Sequence, residues 1–175
     1  MNSAAHGRRV ASPVRLTLAS ELGEQLDGAW WPRKGSVARE LPELIDALSR
    51  RLGRIVDISV NWSPLEGPPD LDSLNRSKIA DPRRAAGRQR LMMITGTRAS
   101  ANLLVVPCRT SSALAVMVLR HAAAYQIDPA DRNTQAFRAA EEIVRIARAE
   151  IARCARRRHG AGLAHVAAAD SAEGG

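Results

Sequence analysis

Leu91-Met92-Met93-Ile94, then Gly96-Thr97-Arg98-Ala99-Ser100, then Leu103-Leu104-Val105-Val106 is the stretch on which the fold turns. Two short, continuously apolar runs flank a segment of hairpin-loop length that contains glycine. A strand apolar on both faces belongs at the centre of a sheet covered on both sides. Pro107 closes the second run. The hairpin thus sets the middle of a layered α/β domain, and the remaining chain must supply edge strands and cover.

Upstream, Val14, Leu16 and Leu18 alternate with Arg15 and Thr17, the period-two pattern of a half-buried strand. Ala19 to Arg33 contains Gly23, Gly28 and Pro32 and reads as loop or turn. Ser36 offers an N-cap, and Leu41, Leu44, Ile45, Leu48 and Leu52 follow along one helix face. Arg50 and Arg51 suit the negative end of that helix, with Gly53 just beyond it. Arg54 to Trp62 predicts a second strand, with Val56, Ile58, Val60 and Trp62 on one face and Asp57, Ser59 and Asn61 on the other. Three prolines in Ser63 to Asp70 end it, and the polar, basic Leu71 to Gln89 reads as a loop.

Downstream, a helix from Ser111 or Ser112 carries Leu114, Met117, Val118, His121, Ala122 and Tyr125 along one stripe until Asp128-Pro129. Asn133 or Thr134 caps a last helix reaching about Arg158, with Gly160 as its stop. Its stripe of Ala136, Ala140, Ile143, Val144, Ala147, Ile151 and Cys154 is narrow, and arginines dominate the opposite face. The expected architecture is α/β (α+β): roughly four strands in a mostly antiparallel sheet, two packed helices and a long Arg-rich C-terminal helix. The expected divisions are a disordered arm at 1–13, an α/β domain at 14–128, the basic helix at 129–160 and a disordered tail at 161–175.

The net charge is +8, and only Lys34 and Lys78 among the cationic residues are lysines. Arginine forks suit carboxylates and phosphates, so an acidic protein, nucleic acid or the ribosome enters as partner class. The basic surface expected to meet it comprises Arg145, Arg148, Arg153, Arg156 and Arg157. No aromatic residues interleave with these arginines, so any nucleic-acid contact is led by charge or shape and not by base stacking. The two cysteines, Cys108 and Cys154, are sparse. No apolar run suits a signal peptide or a membrane span, which points to a reduced, cytoplasmic protein.

Asp27, Trp30, Trp31 and Arg33 form the candidate ligand- or partner-binding constellation. A carboxylate, two indoles and a guanidinium in a Gly/Pro loop can hold a planar or anionic molecule. The competing reading is structural: Asp27 caps a turn or pairs with Arg33, while one indole plugs an aliphatic core beside Trp62. For metals, His6, His121, His159 and His165 lack ligand spacing, so no metal and no cofactor is expected. Cys108 beside Arg109 is a candidate thiolate without an assignable base, and no catalytic residue is assigned. No Gly-x-Ser-x-Gly, phosphate loop or dinucleotide fingerprint is present.

The blocks Asp27-Gly28-Ala29-Trp30-Trp31-Pro32-Arg33, Glu40-Leu41-Pro42-Glu43-Leu44, Arg51-Leu52-Gly53-Arg54 and Leu103-Leu104-Val105-Val106-Pro107 resemble a family of small actinobacterial proteins known only as a domain of unknown function. The resemblance spans about Val14 to Tyr125. It implies a bacterial, cytosolic, single-domain α/β protein and no particular activity. The chain departs from the pattern between Pro64 and Arg90, which lacks an expected aromatic-bearing strand, and in the Arg-rich helix after Pro129, which looks like an extension. The leading expectation is a non-catalytic binding or regulatory protein that uses the Trp loop or the basic helix as its contact surface. A charge-led nucleic-acid or ribosome-associated protein is one alternative; a small-molecule enzyme built on Asp27, Arg33 and Cys108 is another. A homodimer through the C-terminal helix is a further expectation.

Overall fold

The computed structural model describes residues 14–23, 25–62 and 89–170, with side chains of the last helix through Arg158. Its elements are β1 (Leu16–Leu18), β2 (Gly28–Trp30), α1 (Val37–Leu52), β3 (Ile55–Val60), β4 (Leu91–Gly96), β5 (Ser100–Val105), α2 (Ser112–Ala122) and α3 (Gln135–Asp170). The expectations for Met1 to Pro13, for 63–88 and for 171–175 lie outside the described residues.

The strands form one sheet in the order β1-β2-β5-β4-β3, antiparallel except where β2 runs parallel to β5. The α/β class expected from the sequence holds, with five strands where roughly four were expected. The additional strand is β2, inside the stretch read as loop. Three residues between Gly23 and Pro32 are too few to display a period, and their register to Leu103, Leu104 and Val105 is set by a distant segment. Gly28 is required by that packing, because a Cβ there would overlap the Thr17 carbonyl oxygen of β1.

The continuous hydrophobicity of the central hairpin divides between two cores. Met92, Ile94, Leu103 and Val105 meet Leu44, Leu48 and Leu52 of α1 on one face. Leu91, Leu104 and Val106 meet α2 and α3 on the other. The three-residue turn Thr97 to Ala99 also closes the C-terminus of α1. Arg98 donates through its guanidinium to the Ser49 and Arg50 carbonyls at 3.1 and 2.8 Å, and its backbone N–H donates to Leu52 at 2.9 Å. These bonds satisfy carbonyls that a helix end otherwise leaves open. Ser36 occupies the N-cap of α1, but its hydroxyl makes no capping bond.

On β3 the expected facing of Ile58, Val60 and Trp62 holds, and the expected burial is corrected. Ile55, Ile58 and Trp62 pack toward the α1 core, whereas Val56 and Val60 are 55% and 47% exposed. A register shift between Ile55 and Asp57 breaks the strict alternation, and β3 is an edge strand with neighbours on one side only among the described residues. Asn61 ends the strand as a staple. Its Oδ1 accepts the Leu91 N–H at 2.7 Å, and its Nδ2 donates to the Gln89 carbonyl at 2.9 Å.

The narrow stripe on α3 is core. Ala139, Ala140, Ile143, Val144, Ala147 and Ile151 are buried with α2, so the surface expected to carry a homodimer is occupied within the chain. Thr134 caps the helix, its Oγ1 accepting the Phe137 N–H at 3.1 Å. The helix continues past Gly160 to Asp170, beyond the stop read from the sequence.

Candidate functional site

The Asp27–Arg33 constellation is divided by β2. Asp27 precedes the strand and is 4% exposed. Its Oδ1 accepts the Gly23 N–H at 2.9 Å and its Oδ2 accepts the Asn102 N–H at 2.7 Å. Burial pushes its carboxyl above the usual range, and the two backbone hydrogen bonds and the Arg51 charge oppose that rise. Both carboxylate oxygens are thus engaged in tying the β1–β2 loop to β5.

Trp30 and Trp31 point to opposite faces of the sheet, as successive strand residues must. Trp30, 1% exposed, fills the α1 core, to which Trp62 also packs; Trp31, 8% exposed, fills the core under α2 and α3. The Trp31 Nε1 has no hydrogen-bond partner among the described residues. Arg15 lies over the Trp31 ring at 3.7 Å and donates to the Trp31 and Pro32 carbonyls at 3.1 and 2.8 Å. Burial lowers the Arg15 pKa, reinforced by the Arg33 cation and opposed by Glu40 and Cys108.

Arg33 follows β2 on the surface, 3.6 Å from the Glu43 carboxylate. The residue that shapes this turn is Glu40, whose carboxylate accepts the Arg33 and Lys34 N–H groups at 2.9 and 2.6 Å. An acidic residue in the first turn of a patterned helix is the sequence signal that could have located it. Cys108 lies three residues beyond β5, at the same end of the parallel pair as Arg33. Asp27 lies at the opposite end. Asp27, Arg33 and Cys108 therefore do not meet around one centre, and no metal-binding cluster of His, Cys, Asp or Glu occurs among the described residues.

The five arginines expected on the last helix separate into two groups. Arg145 makes a bidentate pair with Glu142 at 2.8 and 2.5 Å, and Arg153 pairs with Glu150. Glu142 is held below the usual carboxylate range first by its hydrogen bond to Arg145. These two cations are compensated on the helix. Arg148 reaches back to the His121 carbonyl at 3.4 Å. Arg156 and Arg157 are exposed and have no ion pair with a described carboxylate.

Arg158 joins this cationic row, although the sequence reading did not single it out for function. Its Nη1 donates to the Met93 sulfur at 3.0 Å, a weak acceptor for a guanidinium. Beneath it lies a groove of about 280 Å³ between the middle of α3, Ile151 to Arg158, and the β3–β4 end of the sheet. Leu91, Met93 and Ile151 form apolar walls; Ser59, Cys154, Arg157 and Arg158 supply donors and positive charge. Asn61 and Asn102 also line it, with their carboxamides engaged to Gln89, Leu91 and Gln25 backbone groups. No carboxylate lines the groove among the described residues. Its volume lies just below the roughly 300–1,000 Å³ usual for small-molecule pockets.

No described helix is long and apolar enough to cross a membrane. No curated protein and no solved structure matches the chain. A family model matches residues 15–122, from β1 to the end of α2, and leaves α3 beyond the match. On that match, the chain belongs to the family of unknown function DUF5994.

Proposed function

We propose that this chain is a non-catalytic binding protein of the bacterial cytosol that meets an acidic protein through the basic face of α3. The supporting observation is the row Arg156, Arg157 and Arg158 beside a groove that no described carboxylate lines, with no described acidic residue paired to it. The Trp loop supports the reading by contrast. Its carboxylate and both indoles are occupied inside the domain, which leaves Arg33 as its outward group. Both cysteines are free thiols, in keeping with a reducing compartment.

The positive row accelerates encounter and fixes orientation, and screening by salt over about 10 Å weakens it at 0.1 M ionic strength. Fluorescence anisotropy with labelled polyglutamate, a DNA duplex and single-stranded RNA tests the assignment. Polyglutamate binding that salt weakens and that Arg156→Glu/Arg157→Glu abolishes is the expected outcome. A duplex or RNA that binds at least about tenfold more tightly, with a steep logarithmic salt slope, would transfer the assignment to nucleic acid.

A further inference from the structure

The groove under Arg158 runs up to the β3 edge of the sheet, which no described strand covers on its outer side, and the two features fit one kind of partner. Asn61 donates its backbone N–H to the Leu91 carbonyl at 3.1 Å, which fixes the odd-numbered residues of β3 as those bonded to β4. Strand alternation then turns the N–H and C=O groups of Ile58 and Val60 away from the sheet. Neither residue makes a further hydrogen bond among the described residues. Natural sheets blunt such edges with bulges, charge or proline. Here the bulge and Asp57 protect only the beginning of β3, and the Ile58–Val60 end carries a half-exposed Val60.

We propose that β3 accepts an extended, acidic and apolar segment of a partner protein as a sixth strand, with an apolar side chain entering the groove and a carboxylate meeting Arg157 and Arg158. The proposal rests on the reading of α3 as a surface for an acidic partner and adds the element that receives it. Ser59 and Met93 share the face of the sheet that looks toward α3, so alternate side chains of an added strand point into the groove. The carboxylate exchanges the weak guanidinium–sulfur contact of Arg158 for a charge-assisted bond. A second copy of this chain is a poor occupant. A two-fold contact between β3 edges would bring two arginine rows together on a chain of net charge +8.

The test uses the full chain and a fluorescein-labelled eight-residue peptide bearing Leu and Glu on one strand face and Val and Thr on the other. Val60→Pro removes the outward N–H and leaves the bonds to β4 in place, a position where edge strands tolerate proline. Retained circular dichroism and thermal midpoint check its folding. Val60→Pro and Arg157→Glu/Arg158→Glu are each expected to weaken the peptide about tenfold or more, and replacing the peptide's Glu by Lys to abolish binding. N-methylation of the peptide backbone at alternate residues gives the same loss without altering the protein. If Val60→Pro and the N-methylated peptide bind as tightly as the parents while the arginine variant fails, strand addition is overturned and the basic face survives. If the arginine variant also binds normally, both readings fall. A dimer in light scattering that Val60→Pro dissolves would assign the edge to self-association and overturn the proposal.

Discussion

The backbone N–H of Asp27 donates to the Asn102 carbonyl at 2.9 Å while the Asp27 carboxylate accepts the Asn102 N–H at 2.7 Å, a reciprocal pair that joins the entrance of β2 to β5. Asp27→Ala removes the acceptor of the half-buried Asn102 N–H and of the exposed Gly23 N–H, which water can take over, and should cost about 1–3 kcal/mol, most of it at Asn102. The pH dependence is distinctive. Burial raises the folded pKa above the unfolded 3.8, so the folded state holds the proton more tightly between the two values. Stability from this group therefore increases as pH falls through the folded value toward 3.8. In urea titrations the advantage of wild type over Asp27→Asn should widen from pH 7 toward pH 4. A narrowing gap would show that the two amides outweigh burial.

The two indoles should respond unequally to conservative replacement. Trp30→Ala and Trp31→Ala each empty a core and should cost about 3–5 kcal/mol. Trp31→Phe also removes a buried N–H that has no partner among the described residues, so part of the lost packing is offset. Chemical denaturation should rank Trp31→Phe as milder than Trp31→Ala by at least about 2 kcal/mol. Acrylamide should quench neither Trp30 nor Trp31 in single-Trp variants. An accessible Trp31 would contradict its packing under α2 and α3.

His121 gives the opposite pH sign. Its ring lies 4.8 Å from Phe137 and its Nε2 is buried without a partner among the described residues. Burial lowers its pKa from 6.5, Glu141 opposes that, and Arg148 adds to it. The unfolded chain thus binds the proton first, and stability is lost as pH falls below 6.5 toward the folded value. His121→Leu should flatten this limb of the thermal-midpoint profile between pH 7 and 5. An unchanged slope would place the acid sensitivity in another group.

Gly28 and Gly35 offer a paired control. A Cβ at Gly28 overlaps the Thr17 carbonyl oxygen, whereas one at Gly35 meets nothing within 4 Å. Gly28→Ala should destabilise by about 1–3 kcal/mol through separation of β1 and β2. Gly35→Ala should lie within about 0.5 kcal/mol of wild type. Equal effects would mean that β1 and β2 do not approach this closely in solution.

Elements whose pattern is local were legible in the sequence. The leucines of α1 and the paired apolar runs around Thr97–Ala99 carry their periods within a few turns or one hairpin. β2 was not legible, because its three residues are ordered by partners more than seventy positions away. Val56 and Val60 misled for a related reason. The register shift takes Val56 out of the alternation, and Val60 keeps the α1 side opposite Met92 but has no described neighbour beyond the edge to cover it. At the candidate site, Arg156 and Arg157 were visible as charge. Their neutralised companions Arg145 and Arg153 could be told apart only once Glu142 and Glu150 were placed. Asn61 and Asn102 carry no motif, since an amide that replaces a ladder bond reveals itself only through its partners.

Because Trp30 and Trp31 are consecutive, a single peptide unit anchors both hydrophobic cores. Neither half can loosen alone without dragging the other's largest side chain from its seat. The molecule should therefore lack a half-melted intermediate, with the α1 layer and the α2–α3 layer exchanging their slowest amide hydrogens at one common free energy. The dipeptide is a mechanical coupling: it makes two separately packed layers one cooperative unit.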